Sequence, residues 1–121
     1  MRTPAVIAAL GALAHEHRLA VYRLLVERGP AGLAAGTIAQ HIGLAPSSLT
    51  FHVQALQRAG LISQRRVSRQ LFYAADYANM NALLAYLTEN CCAGDASCAP
   101  VCQPARSPAR SPKSQKSRRA A

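Results

Sequence analysis

The sequence predicts a mainly α-helical domain with a small β-hairpin, arranged as a winged helix-turn-helix, and three features carry that expectation. In APSSLTFHVQALQRAGL, Leu49, Val53 and Leu56 recur at i, i+4 and i+7, one buried stripe of a helix that follows another after a short Gly-containing turn. Past Gly60 the apolar pattern changes from helical to alternating, as in a hairpin, and that hairpin carries three arginines. Half of the 121 residues are apolar, with four Tyr, two Phe and no Trp, so the core is one of Leu, Ile, Val and Ala, as helical domains usually have.

The elements follow in order. Thr3 and Pro4 read as the N-cap and first residue of a helix reaching about Ala14 that buries Val6, Ile7, Leu10 and Leu13. This reading is preferred to a signal peptide, because a charged HEHR stretch stands where a cleavage site would be. A second helix spans Glu16 to Arg28 with Leu19, Tyr22, Leu25 and Val26 on its apolar side, and Gly29-Pro30 stops it. A short helix, Thr37 to His41, has Thr37 as its cap and closes at Gly43. The recognition helix runs from Pro46 towards Gly60. Strands LISQRR and RQLFYAA flank a turn at Val67-Ser68, and a last helix extends from Asp76 to about Asn90.

The formal net charge of +9 divides between two regions. Residues 1–90 hold eight Arg against four acids, and residues 91–121 hold six Arg or Lys against one. A basic domain with a basic tail suits a polyanion, double-stranded DNA above all. Ser47, Ser48, Thr50, Phe51, Gln54 and Arg58 occupy the face of the recognition helix away from its apolar stripe, and small polar residues there can reach base edges in a major groove. Arg65, Arg66 and Arg69 on the hairpin can neutralise phosphates or enter the minor groove. His52 is counted with this DNA-binding set, although its place at the edge of the buried stripe suits packing or hydrogen bonding. His15, His17, His41 and His52 have no partner at a recognised zinc spacing and are read as non-ligands. The chain has no phosphate-binding Gly loop, no paired carboxylates and no Cys-His pair, so an enzyme is not expected. No apolar stretch is long enough to span a membrane.

All four cysteines, Cys91, Cys92, Cys98 and Cys102, lie in NCCAGDASCAPVC, after the last helix. In the cytoplasm, where the chain is expected to reside, clustered thiols stay reduced, which favours metal or redox chemistry over a structural disulfide. Soft thiolates select thiophilic ions. The domain organisation is therefore 1–90 for DNA binding and dimerisation, 91–102 for a cysteine-rich segment, and 103–121 for a disordered basic Pro/Ser tail.

ALAHEHRLAVYRLL and TIAQHIGLAPSSLTFHVQALQRAGLI together resemble the ArsR/SmtB family of winged-helix repressors. The hallmarks are Leu-Ala-His-Glu-x-Arg-Leu before the second helix, Ser-x-x-Thr-x-His-Val-x-x-Leu in the recognition helix, and AGLI leading into the basic hairpin. The resemblance covers roughly residues 5–98. It implies a homodimer joined through the first and last helices, with Val6, Ile7, Leu10, Leu13, Met80, Leu83, Leu84 and Leu87 as interface residues, bound to an imperfect inverted repeat. Two inducer motifs of the family are missing: AAGTIAQ stands in place of Cys-Val-Cys-Asp, and Asp76-Tyr77-Ala78 lacks the His of Asp-x-His. Cys91, Cys92 and Cys98 are similar to the C-terminal Cys-Cys-x5-Cys site of an arsenite-responsive branch, as is LLAYLTEN before them. The inducer implied is As(III), with Sb(III) of the same valence shape also fitting, and no organic cofactor. Trivalent arsenic favours three sulfurs in a pyramid, and Gly94 would let the loop turn back to bring Cys98 in. Cys102 is a spare thiol or a fourth ligand. A zinc or cadmium site using Cys98-x3-Cys102, a thiol-redox sensor, and an architectural DNA-binding protein without inducer stay open as alternatives.

Overall fold

The computed structural model of the protein describes residues 1–94. Cys98, Cys102 and the basic tail expected over 103–121 lie outside the described residues. Met1–Leu84 form one compact unit, and the described residues from Ala85 onward belong to a second.

Helix α1 (Thr3–Leu13) starts one residue before the predicted helix, with Pro4 in its first turn and Arg2 at the N-cap. Thr3 is thus helical and not the cap, and the Arg2 side chain makes no capping hydrogen bond. Helix α2 (Glu16–Arg28) is capped by His15, whose Nδ1 accepts from the backbone N–H of His17 at 3.1 Å. Glu16 in its first turn and Arg28 in its last complement the helix dipole. On α2 the sequence reading needs correction: Leu19 is 44% exposed, and Val21 is buried with Tyr22 and Leu25.

A two-residue strand β1 (Leu33–Ala34), absent from the prediction, precedes helix α3 (Ala35–Ile42). Thr37 lies inside α3, which begins at Ala35 without a side-chain cap. Gly43 is left-handed and closes α3, its N–H donating to the Ala39 carbonyl. Helix α4 (Pro46–Arg58) follows after three residues, giving the helix-turn-helix. It ends in a Schellman motif, with Gly60 N–H on the Gln57 carbonyl and Leu61 N–H on the Leu56 carbonyl. Gly60 supplies the positive φ of 79° that this reversal requires.

Strands β2 (Ile62–Val67) and β3 (Gln70–Ala75) form the wing, and β1 adds to the other edge of β3, giving the antiparallel order β1-β3-β2. The pairing Val67↔Gln70 puts the turn at Ser68-Arg69, one residue later than predicted. Only Ser68 of the two has positive φ, the pattern of a type II′ turn, with Ser in the position that Gly usually takes. Helix α5 (Tyr77–Leu87) is capped by Asp76, whose Oδ1 accepts from the Asn79 N–H at 3.0 Å. Within the first unit it is fixed further by the Tyr77 hydroxyl, which donates to the Val26 carbonyl at 2.8 Å, and by Asn79 Nδ2 on the Gly60 carbonyl at 2.8 Å.

The core joins α2, α3, α4 and the strand roots: Val21, Leu25, Ile38, Leu49, Val53, Leu56 and Leu61 are all less than 2% exposed. Each contributes about 2 kcal/mol by burial, before the entropy of ordering it is charged against it. In the second unit, α5 ends three residues earlier than predicted, and Cys91–Gly94 form a short turn in which Cys92 and Ala93 are left-handed, as is Asn90 before it. No helix among the described residues is long and apolar enough to cross a membrane.

Candidate nucleic-acid interface

Helix α4 is two-sided because its sequence is. Leu49, Val53 and Leu56 face inward and hold it against the domain, while Ser47, Phe51, Gln54 and Arg58, spaced i, i+4, i+7 and i+11, form an exposed stripe. Ser48 and Thr50 flank that stripe and are also exposed. The Thr50 hydroxyl donates to the Pro46 carbonyl at 3.0 Å, which leaves its oxygen as an acceptor. Phe51 is 60% exposed, a large apolar side chain on an otherwise polar surface. Such a residue suits the 5-methyl group of thymine in a major groove.

His52 does not share this face. It is 8% exposed, and its Nδ1 accepts from Arg18 Nε of α2 at 3.2 Å. The same guanidinium lies 5.6 Å from the centre of the Phe51 ring. The His52 ring stands 4.6 Å from that of His15 and 5.7 Å from that of His17. Burial pushes the His52 imidazole below the ordinary histidine range, and His15, Arg18 and His17 add to that shift as charges of like sign. The sequence shows three separate histidines and no cluster. Their convergence depends on α2 crossing α4, which spacing along the chain does not reveal. Among the described residues, no group of three His, Cys, Asp or Glu side chains is placed to hold a metal ion.

The wing arginines divide into two kinds. Arg65 Nη2 donates to the Ala31 carbonyl at 3.1 Å, and its guanidinium covers Phe72, so it is bound into the sheet. Arg66 and Arg69 are exposed, Arg69 in the turn at the tip. An open cleft of about 270 Å³ separates Arg69, Gln70 and Leu71 from Ala34, Ala35 and Gly36 at the start of α3.

The residues expected at a dimer interface also divide. Val6 and Leu83 are buried within the chain itself and offer less surface than the other residues expected there. Leu13 and Met80 are half-buried. Ile7 (64% exposed), Leu10 and Leu84 remain open in the first unit, and Leu87 is exposed in the second. Of the cysteines, Cys91 is half-buried and Cys92 exposed; Cys92 is disulfide-bonded. Cys98 and Cys102 lie outside the described residues.

A helix-turn-helix with an outward reading face, set beside a basic wing, defines a winged-helix DNA-binding protein. Comparison with known proteins agrees: a helix-turn-helix domain family matches residues 13–65. The chain is 28% identical over 83 residues to the transcriptional activator HlyU of Vibrio cholerae, covering 69% of this chain and 74% of that protein. Among solved structures it is similar to an ArsR-like transcriptional regulator from Rhodococcus sp. RHA1, with TM-score 0.61 and 26% identity over 69% of this chain and 76% of the other. It is also similar to the homodimeric winged helix-turn-helix DNA-binding domain of Mb0332 from Mycobacterium bovis, a possible ArsR-family regulator, with TM-score 0.57 and 29% identity over 69% and 78% of the two chains. The matched domain and the fold are those of DNA-binding transcription regulators, not those of enzymes.

Proposed function

We propose that this chain is a homodimeric repressor of the ArsR/SmtB type, active in the cytoplasm, that leaves its operator when As(III) or Sb(III) binds Cys91, Cys92 and Cys98. The observation that carries the reading is the pair Cys91-Cys92 just past the end of α5, the helix that also bears the exposed Leu84. Two adjacent thiolates with a third seven residues after the first supply three soft donors, which suits a pyramidal semimetal ion better than a tetrahedral one. Dimerisation is supported by the exposed Ile7, Leu10 and Leu84 and by the homodimeric Mycobacterium bovis relative. A hundredfold loss of DNA affinity on inducer binding needs a coupling of only about 2.7 kcal/mol.

A second reading, a thiol-redox switch, is favoured by one observation: Cys92 is disulfide-bonded, and a disulfide sulfur is not a thiolate ligand. The two chemistries exclude each other at this residue, so reduction must precede uptake of As(III).

One titration separates the readings. A duplex selected from a random DNA pool by the full chain is bound to protein reduced with a phosphine, and release is followed by fluorescence anisotropy. Arsenite and antimonite should release it, zinc should not, and Cys92→Ser should bind DNA normally yet ignore arsenite. Normal release of the Cys92→Ser protein by arsenite would defeat the assignment. Release by peroxide alone favours the redox switch, release by zinc or cadmium a tetrahedral site, and no response with weak sequence preference an architectural protein.

A further inference from the structure

Neither DNA contact nor the cysteines explain why α2 gathers His15, His17 and Arg18 around one buried residue of the recognition helix. Arg18 touches two consecutive residues of α4 at once: it donates to Nδ1 of His52 on the inner side and lies against the Phe51 ring on the outer side. The Phe51 and His52 rings themselves meet edge to face at 5.7 Å. His15 is fixed as the cap of α2, so the cluster is built on a helix terminus and not on a mobile side chain alone.

The hydrogen bond prescribes a protonation state. Nε of arginine is always a donor, so His52 Nδ1 must keep its lone pair and the ring must be neutral, with its proton on Nε2. A second proton, on Nδ1, would set donor against donor and a cation 3.2 Å from a guanidinium. Among the described residues no acid relieves this. The charged groups acting on His52 are His15, Arg18 and His17, and Glu16 in the first turn of α2 is exposed. Of the other elements packed on α4, α1 has no titratable side chain, His41 of α3 contacts Arg28, and Arg65 of β2 is tied to Ala31, leaving Arg66 as a further positive charge.

We propose that Arg18 and His52, within the ring of His15 and His17, form a proton-sensitive positioning device: with His52 neutral, Arg18 holds Phe51 and α4 in reading position, and protonation of His52 releases that hold and weakens DNA binding. The sign is opposite to the usual one, because phosphates favour imidazolium and acid ordinarily strengthens the grip of a histidine-bearing protein on DNA. The proposal rests on DNA binding through α4 and is independent of what the cysteines bind.

The test uses the full reduced chain and the duplex selected at about pH 7.5, with affinity measured at constant ionic strength down to about pH 5.5. Wild type should bind roughly tenfold more weakly at the acid end, equivalent to about 1.4 kcal/mol of binding free energy. His52→Asn places an amide that can accept from Arg18 without titrating, and its affinity should stay within about threefold across the range. Arg18→Gln should bind weakly at both ends. In the DNA-free protein, 15N NMR of the imidazoles should show His52 titrating over the pH range where affinity is lost, and at higher pH once Arg18 is replaced. Wild-type affinity that is flat or rises towards acid overturns the proposal, as does a His52→Asn protein that keeps the wild-type fall. Failure to enrich any duplex would overturn it together with DNA binding itself.

Discussion

Arg65 faces Phe72 across the wing, its guanidinium carbon 5.2 Å from the ring centre, while the same side chain reaches back to the carbonyl of Ala31. The three wing arginines should therefore separate by assay. Arg65→Ala should lower thermal stability, by about 1 kcal/mol for the lost charged hydrogen bond and ring contact. Arg66→Ala and Arg69→Ala should leave melting unchanged. If either exposed arginine meets a phosphate, its removal should reduce the salt dependence of DNA affinity by about 0.9 in the log-log slope. Equal effects of all three on melting would contradict the division.

Gly32 has φ +74° and lies where a Cβ would collide with the carbonyl of Tyr73. Strand β1 begins at the next residue, so the close approach is what lets it pair with β3. Gly32→Ala should cost at least about 2 kcal/mol in urea unfolding, left-handed strain and backbone clash combined. Gly36→Ala, in the first turn of α3 with nothing within 4 Å of the added methyl, should be neutral or stabilise by about 0.5 kcal/mol.

Tyr22 is buried and its hydroxyl has no hydrogen-bond partner among the described residues. Burial, with smaller contributions from Asp76 and Tyr77, raises its pKa and keeps the phenol neutral. Tyr22→Phe removes the polar atom and preserves the packing, so stability should hold or rise by up to about 1 kcal/mol. A loss of that size in thermal melts would show that an ordered water satisfies the hydroxyl.

Stability should also depend on pH through His52. Its folded pKa lies below the unfolded value of 6.5, so the unfolded chain binds more protons in the interval between the two. The contribution of neutral His52 is present above 6.5 and is lost as pH falls through the folded value. Melting temperature should drop between about pH 7 and pH 5, and His52→Asn should flatten that drop. An unchanged slope in the variant would assign the acid sensitivity to other groups.

The parts of the fold legible in the sequence are those whose periodicity is long. Leu49, Val53 and Leu56 fix the buried face of α4, Gly60 its end, and the alternation after it the wing. Two-residue β1 has no period to detect, and it exists only because Gly32 brings the chain against Tyr73. The wing turn lies one residue beyond its expected place because Ser68 adopts the conformation that Gly normally signals. On α2 the apolar pattern admits either Leu19 or Val21 as the inward residue, and the crossing with α4 decides for Val21. Of the site, the outer face of α4 was readable from helical spacing. The bond from Arg18 to His52 and the capture of Arg65 were not, since each depends on a neighbour distant in sequence.

Strand β2 is an edge of the sheet, six residues long, with one row of backbone donors and acceptors unpaired. Such an edge invites another chain to add a strand, and charge along it is a common defence. The positive side chains of Arg65 and Arg66 lie on this margin, the first tied into the sheet and the second open to a polyanion, and both repel a second copy of the same strand. Neutralising them to weaken DNA binding would thus carry a cost in solubility, with amyloid-like or edge-to-edge association of the wing as the form it takes.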